Sequence, residues 1–505
     1  MSYELGFDWD RSATTGQHCP ICRANGPHPH KVTSSTPASP VGQAKYFECC
    51  NCGGVFAVPF SYPDYSEDYD FADYLRFYQE VGAGLEAMTQ PLDLAVPIRP
   101  AKSLIDVGCG VPFVVDYARR EYGLQAEGLD PSNYGRRGGE SLGVEVIGEL
   151  LGAGSRFDGQ SFDILYSSEV IEHVEDPAAF LEILVKHLNP DGILVLTTPN
   201  AENLGPKTDS LTNVSIVWPG IHHALYTPAA MEEALKAAGL VHNHISSATG
   251  HIVALASRSP ISIPASPPPS RLTSYLQRDF PGLPLLEGGN LFRLLRQAVG
   301  LGNWTEAAEL RDRLSTRVRA DYGWDVHEMD RFAEAVATLP APDLFASFPY
   351  FSGCLPFYFG MVDFQASPRN LDSAARFLSC QIKTGETLTG GDPLWWGEIA
   401  HIHQPAAFNL GMVHLVGGQV EPAIAALEQS LASPAAGSLA SLGRRSLALE
   451  TTARLQLALA YAKAGRFEDS DQTFAQAMAC VETEPACAYL ETMANTLQAA
   501  IKALR

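Results

Sequence analysis

Between residues 101 and 257, short apolar runs alternate with amphipathic stretches. The runs are SLIDV from Ser103, QAEGLD from Gln125, VEVIG from Val144, FDILYSS from Phe162, GILVLTT from Gly192 and GHIVALAS from Gly250. Runs of this length, separated by stretches of helical spacing, predict a parallel sheet with crossover helices. The flanks differ. Residues 1–61 carry little periodic apolar pattern and look too small to hold together by burial alone. Residues 62–100 are aromatic and acidic, with helical spacing at Tyr74, Phe77, Tyr78 and Val81, and predict a connector helix packed on the next domain. The stretch SRSPISIPASPPPS opens an extended linker over 258–290.

From 291 to 505 strand signals are rare and helical periods dominate. FNLGMVHLVGGQVEPAIAALEQSLASP from Phe408 and LQLALAYAKAGRFEDSDQTFAQAMACV from Leu455 align without a gap at an offset of 47 residues. Gly411 then pairs with Ala458, Ala423 with Ser470 and Leu427 with Phe474, the small and large positions at which antiparallel helices meet. FYFGMVDFQ and GLGNWTEAAELRDRL read as weaker copies. The pattern resembles tetratricopeptide repeats, at a spacing longer than their roughly 34 residues. Such an array either docks a protein partner or only packs on the rest of the chain.

A chain of 505 residues exceeds one hydrophobic core and divides into about three domains. No apolar run approaches the roughly 18 residues of a membrane span, and no basic, apolar leader follows Met1. The expectation is a soluble, cytoplasmic protein. A formal charge of -22 repels phosphate backbones, which argues against nucleic acid as a partner.

The run SLIDV ends in Asp106 and Val107, and Gly108 and Gly110 follow before a helix-like stretch. Glycines there let main chain approach a ligand that a β-carbon would exclude, and the helix aims its N-terminus at the site. Asp130 ends the second run, where a carboxylate can accept hydrogen bonds from a ribose diol. FDILYSSEVIEHVEDP, LNPDGILVLTTPN and IHHALYTPAAMEEALKAAGL follow in order. Over about Lys102 to Ser257 this ordered set resembles the class I S-adenosylmethionine-dependent methyltransferases.

The resemblance implies a Rossmann-like α/β domain over 101–257. It implies that Asp106, Gly108 and Gly110 form the loop beneath the methionine part of the cofactor, that Asp130 binds the ribose and that Glu149 lies near the adenine. The SSEVIEHV segment, with Ser167 in its approach, then flanks the transferable methyl. His222 aligns with a histidine that precedes an aromatic-Thr/Ser-Pro stretch, here Tyr226, Thr227 and Pro228. One position departs from the family's loop: Pro112 stands for its third glycine, a change tolerated at a helix start. A dehydrogenase fits less well, because Phe113 stands where its loop wants a glycine.

A sulfonium methyl donor needs little activation, so the protein must align a nucleophile and remove its proton. Histidine, with an ordinary pKa near 6.5, suits that task, and His173 and His222 are the candidates, with Glu172 beside them. Packing of the following helix is the other reading of His173. Glu169, Glu172 and His173 also share one face if the stretch is helical, and with His222 they would form the magnesium site that some oxygen-methylating members hold.

Ten cysteines without an export signal read as thiols or metal ligands. Cys19, Cys22, Cys49 and Cys52 form two C-x2-C pairs separated by 26 residues, a pattern that presents four thiolates to a structural Zn²⁺. Cys50 is a bystander, and His18, His28 and His30 are weaker substitutes. The segment is similar to a zinc ribbon, which sugar- and glycan-modifying methyltransferases often carry at the N-terminus.

The architecture expected is thus a zinc ribbon, a Rossmann-like methyltransferase domain and a C-terminal all-α helical-repeat domain. The expected reaction is methyl transfer from S-adenosylmethionine to an oxygen, less readily a carbon or nitrogen, of a small molecule or glycan precursor. Two rivals remain open: a protein methyltransferase whose repeats dock the target, and a scaffold that binds cofactor without turnover.

Overall fold

The computed structural model describes residues 6–35, 42–60, 71–81, 84–247, 250–264, 268–388, 393–432 and 446–505. It divides into two compact units, one reaching from Tyr3 to Leu283 and the other from Pro284 to Arg505.

The first unit opens with strands β1 (Gly6–Asp8), β2 (Thr14–Thr15), β3 (His28–Ser35), β4 (Gln43–Glu48) and β5 (Val55–Val58). Five of the six apolar runs follow as β6 (Ser103–Val107), β7 (Gln125–Leu129), β8 (Val146–Ile147), β9 (Phe162–Ser168) and β10 (Leu188–Pro199). Then come β11 (Ala224–Leu225), β12 (His242–Ser246) and β13 (His251–Ser257), the sixth run.

Seven strands form the main sheet in the order β12-β13-β10-β9-β6-β7-β8. β6 pairs parallel with β7 and β9, and β9 with β10, whereas β13 runs antiparallel to both β10 and β12. The apolar runs are buried because helices cover both faces of a parallel sheet. Strand order reverses between β6 and β9, so the crevice beyond their carboxyl ends is where such a sheet holds a ligand. Strand β12, HNHIS, has no apolar alternation and was not legible in the sequence; it is an edge strand held by pairing with β13.

The N-terminal strands do not stand apart. Their sheet, β1-β3-β4-β5-β11, takes its last strand from the loop between β10 and β12, with Ala224 opposite Phe56 and Leu225 opposite Val55. Cys19, Ile21, Cys49, Cys52 and Phe56 share one buried cluster with Ile105, Leu165, Tyr226, Ala230 and Met231. The boundary expected at residue 61 therefore separates sequence patterns rather than cores. In the connector, the structure has two helices, Phe71–Glu80 and Leu85–Ala95, in place of one; residues 61–70 and the side chain of Tyr74 lie outside the described residues.

The linker expected over 258–290 is shorter than its composition suggests. Helix Leu272–Leu276 docks on the helix Phe113–Tyr122: the Tyr275 hydroxyl donates to Asp116 at 2.8 Å, Arg278 pairs with Glu121, and the Arg271 guanidinium lies 4.4 Å over the Tyr122 ring. Polar side chains that composition assigns to a solvated linker are here partners of buried acids, so the first unit continues to Leu283.

The second unit is helical. Three successive hairpins, Leu355–Gln365 with Leu371–Leu388, Pro393–Val416 with Val420–Leu431, and Leu447–Lys463 with Phe467–Thr483, cross at matching small residues. A β-carbon on Gly360 would lie 2.8 Å from Leu378, and one on Gly411 2.6 Å from Leu427. In the third hairpin Ser470 donates to the Ala458 carbonyl at 2.8 Å. Among the described residues no helix is long and apolar enough to cross a membrane.

Candidate active site

At the end of β6 the chain turns through Gly108 (φ 77°) and Gly110 (φ 48°), left-handed conformations that favour glycine. A β-carbon on Gly108 would come within 2.5 Å of Val170. The Gly108 and Cys109 amides donate to the Leu129 carbonyl, and the Gly110 amide donates to Asp130 Oδ2 at 2.8 Å. Pro112 (φ -76°) is the cap immediately before helix Phe113–Tyr122, one position ahead of the first helical residue. It lacks an amide hydrogen where none is needed.

Asp130 Oδ1 accepts from both the amide and the hydroxyl of Ser132, the residue that caps helix Asn133–Leu142. Three of about four acceptor positions on this carboxylate are thus engaged, and one on Oδ2 remains open to a hydroxyl. Asp106 is buried and accepts no hydrogen bond from any described residue. Burial, with the Asp130 charge beside it, pushes its carboxyl well above the usual carboxylate range. A ligand bringing positive charge and hydrogen-bond donors would relieve this pair, and a sulfonium that also carries an ammonium and ribose hydroxyls has that chemistry.

Glu149, beyond β8, is exposed and accepts the Arg156 amide at 2.7 Å. The role expected for Ser167 does not follow from its surroundings. Its hydroxyl is buried and donates to the Val107 carbonyl at 2.8 Å, tying β9 to β6.

The stretch after β9 is not helical, so the shared face expected for Glu169, Glu172 and His173 does not form. Glu169 takes a left-handed conformation (φ 55°) and turns toward Thr197, whose hydroxyl donates to it at 2.9 Å. Glu172 turns the other way. It is fully buried, its Oε2 accepts the Thr198 hydroxyl at 2.9 Å, and its Oε1 has no partner. His173 and His222 join it: their rings meet edge-on with centroids 4.7 Å apart, and one ligand atom from each of the three lies within 4.8 Å of the others.

Both rings are held by main-chain carbonyls. His173 Nδ1 lies 3.1 Å from the Ile221 carbonyl oxygen and His222 Nδ1 2.7 Å from that of Ile216. A carbonyl only accepts, so the His222 Nδ1 carries the proton and its Nε2 keeps the lone pair, whereas the His173 ring meets the Glu169 backbone as well as that of Ile221. His173 Nε2 is 3.8 Å from Glu172 Oε1. Burial pushes His173 down to about 4 and His222 well below its ordinary value, so both are neutral near pH 7. Burial, reinforced by the Glu169 charge, holds Glu172 well above the usual range.

The N-terminal sheet holds this site from behind. Tyr46, fully buried on β4, donates its hydroxyl to the Val217 carbonyl at 2.5 Å and lies 3.2 Å from that of His222. The Ala57 amide donates to the His223 carbonyl, and the His223 and Ala224 amides donate to that of Glu172. The Tyr-Thr-Pro stretch starts a helix: Thr227 caps Pro228–Ala237 by accepting the Ala230 amide at 3.1 Å.

Cys19, Cys22, Cys49 and Cys52 converge with their sulfurs within 4.8 Å of one another. The Cys19–Cys52 and Cys22–Cys49 sulfur separations are 3.8 and 3.6 Å. Four thiolates at about 2.3 Å from a tetrahedral Zn²⁺ stand about 3.8 Å apart, so the donors and spacing fit that ion. The Asn51 amide donates toward Cys49 Sγ at 3.4 Å, as such thiolates favour. Cys50 is exposed and outside the cluster. His28 and His30 are buried with their rings bonded elsewhere, His28 to the Ala24 carbonyl and His30 to Asp10 and Thr33.

Comparison with known proteins finds similarity over part of the chain. Residues 75–244 match the family model described as "Methyltransferase domain". Over 162 residues the chain is 30% identical to a ubiquinone biosynthesis O-methyltransferase from Azorhizobium caulinodans, covering 28% of this chain and 60% of that protein. Over 124 residues it is 29% identical to norajmaline N-methyltransferase from Rauvolfia serpentina, covering 23% and 42%. Among solved structures, an O-methyltransferase family protein from Burkholderia thailandensis matches at 16% identity and a TM-score of 0.32, covering 39% of this chain and 64% of that one. The chain spans less than two thirds of the length of the curated relatives it matches. It carries a class I S-adenosylmethionine-dependent methyltransferase domain.

Proposed function

We propose that this protein transfers the methyl group of S-adenosylmethionine to a hydroxyl oxygen of a small molecule or glycan precursor. The observation that carries the reading is the buried Glu172–His173–His222 group at the crevice beyond β9, one strand from the glycine turn. The bound cofactor supplies an electrophilic methyl. Asp106 and Asp130 hold its charged and hydroxyl groups, and the turn at Gly108 and Gly110 keeps main chain close to it. His173, the less buried of the two rings, takes the acceptor's proton, and Glu172 Oε1 lies 3.8 Å from its Nε2. A positioned base of this kind contributes about 10²- to 10⁴-fold. The names of the relatives include both O- and N-methyltransferases; a neutral base that removes a hydroxyl proton favours oxygen here.

The four-cysteine cluster is assigned to structural zinc in a zinc-ribbon-like segment, and the helical hairpins of residues 291–505 to a tetratricopeptide-like array open to a protein partner. Localisation in the cytoplasm remains part of this proposal.

One observation favours a second reading of the trio. Two imidazole nitrogens and a carboxylate oxygen, each imidazole oriented by a carbonyl, form a donor set suited to a transition metal. Magnesium prefers an all-oxygen shell, and Glu169 is not in the group. In this reading the metal would bind the acceptor oxygen. Metal analysis of the purified protein decides: one zinc per chain fits the base, two metals of which one is lost in His222→Ala fit the metal site.

The reading of function is tested by calorimetry with S-adenosylmethionine and S-adenosylhomocysteine. Micromolar binding, weakened at least about tenfold in Asp130→Ala, supports it; a folded protein that binds neither sinks it.

A further inference from the structure

The segment after β9 carries two acids, and only Glu172 joins the catalytic trio. Glu169 turns to the carboxyl end of β10, where the start of β13 lies alongside and His251 stands opposite Pro199. A chain of hydroxyls fixes the carboxylate. Thr197 gives its one proton to Glu169 Oε1 at 2.9 Å, so Ser168, 2.6 Å from Thr197 Oγ1, donates to Thr197. Oε1 is thereby taken, and Oε2 faces the His251 ring, with Nε2 3.8 Å away. The two side chains are 36% and 47% exposed, so a solute reaches the gap between them.

This gap lies in the crevice beyond the carboxyl ends of the strands, where an open sheet of this kind holds its ligands. Val170, the next residue, is the one that a β-carbon on Gly108 would strike, so Glu169 borders the turn that keeps main chain close to the methyl donor. The pair also borders the trio. Burial and then the Glu169 charge raise Glu172, and burial and then the neighbouring imidazoles, His251 among them, lower His222.

The sign of charge selects the ligand. Asp106, Asp130, Glu169 and Glu172 stand at or just beyond the ends of β6, β7 and β9, and among the described residues no lysine or arginine pairs with any of them. Glu172 Oε1 is, in addition, buried without a partner. Such a field turns away a carboxylate or a phosphate. An apolar group leaves Oε2 without a donor, and a hydroxyl supplies a donor without charge. An ammonium supplies both. At about 2.9 Å from Oε2 and from Nε2 its nitrogen subtends roughly 80° between them, which tetrahedral N–H bonds span with modest bending. Burial pushes the Glu169 carboxyl above its usual range, and a cation beside it offsets that cost.

We propose that Glu169 and His251 anchor a protonated amine on the acceptor, so that the substrate is a hydroxyl compound carrying an ammonium group, and carboxylated or phosphorylated acceptors are excluded. The acceptor role rests on the methyl-transfer reading; the ammonium site itself does not.

The test uses the full-length protein with ¹³C-labelled histidine, saturated with S-adenosylhomocysteine, and three probes at constant ionic strength near pH 7. These are 2-aminoethanol, ethylene glycol and glycolate, which share a hydroxyl and differ in charge at the other end. 2-Aminoethanol should shift the His251 resonance in a saturable way and bind at least about tenfold more tightly than glycolate, with ethylene glycol between them. Glu169→Gln, which keeps the shape and removes the charge, should bring the three within about threefold of one another. The same variant should hold S-adenosylhomocysteine within about twofold of wild type, because the anchor serves the acceptor and not the cofactor. Titration without S-adenosylhomocysteine should give the same order of probes, so failure of the methyl-transfer reading shows in the nucleoside and failure of this anchor in the probes. The proposal is overturned if glycolate or ethylene glycol binds as tightly as 2-aminoethanol, if no probe shifts His251, if a folded Glu169→Gln discriminates like the wild type, or if that variant loses S-adenosylhomocysteine along with the amine.

Discussion

Replacing Tyr46 by phenylalanine tests whether the N-terminal sheet positions the loop that carries His222. The substitution keeps the ring, which is fully buried, and removes one hydroxyl. That hydroxyl has a single proton, donated chiefly to the Val217 carbonyl at 2.5 Å and secondarily toward that of His222 at 3.2 Å. The loss therefore orphans about one buried acceptor, a cost of about 1–3 kcal/mol. The cost is local, because both carbonyls belong to the segment between helix Ser210–Val217 and β11. Local opening weakened by that amount lowers amide protection about 5- to 160-fold. Hydrogen exchange read by mass spectrometry on peptides covering 216–226 should show this loss, while peptides covering the glycine turn keep their protection. Affinity for S-adenosylmethionine should be unchanged, since Asp106 and Asp130 lie at the ends of β6 and β7. Unaltered protection over 216–226, or an equal loss throughout the first unit, would refute the positioning role.

Asp106→Asn should stabilise the ligand-free protein at pH 8 while weakening cofactor binding. Because burial and Asp130 raise the Asp106 pKa in the folded state, its contribution is full at low pH and falls as pH rises through that value. Thermal melts from pH 5 to 8 should accordingly slope less in the variant, and an identical slope argues against the shift. Gly108→Ala places a β-carbon 2.5 Å from Val170 at a left-handed position. It should cost about 1–3 kcal/mol and cofactor affinity together, read by melting and calorimetry. If the cysteine cluster holds structural zinc, a strong chelator should expose the amides of β5 and β11 to exchange, since these strands pair beside the cluster; intact protection after complete metal removal would count against a structural ion. Gly411→Ala should destabilise the second unit by about 1–3 kcal/mol in denaturant and leave cofactor binding untouched, because its β-carbon would stand 2.6 Å from Leu427.

The sequence by itself determined what local pattern can encode. Apolar runs placed six of the eight strands from Ser103 to Ser257 within a few residues, the paired glycines marked the turn after β6, and C-x2-C spacing selected four cysteines and excluded Cys50. The 47-residue offset anticipated hairpins that cross at Gly411 and Ala458. Each of these rests on periodicity or spacing along one segment.

Only the tertiary structure decided which side chains work together. Glu169 and Glu172 are three apart and would share a face in a helix; a left-handed residue at 169 sends them to different partners. Ser167 reads as a site residue until packing gives its hydroxyl to Val107. Tyr46 and His223 carried no sequence signal at all. Their roles come from a strand pairing between β5 and β11, residues about 170 positions apart, and no short-range pattern records a contact that the folded core alone brings about.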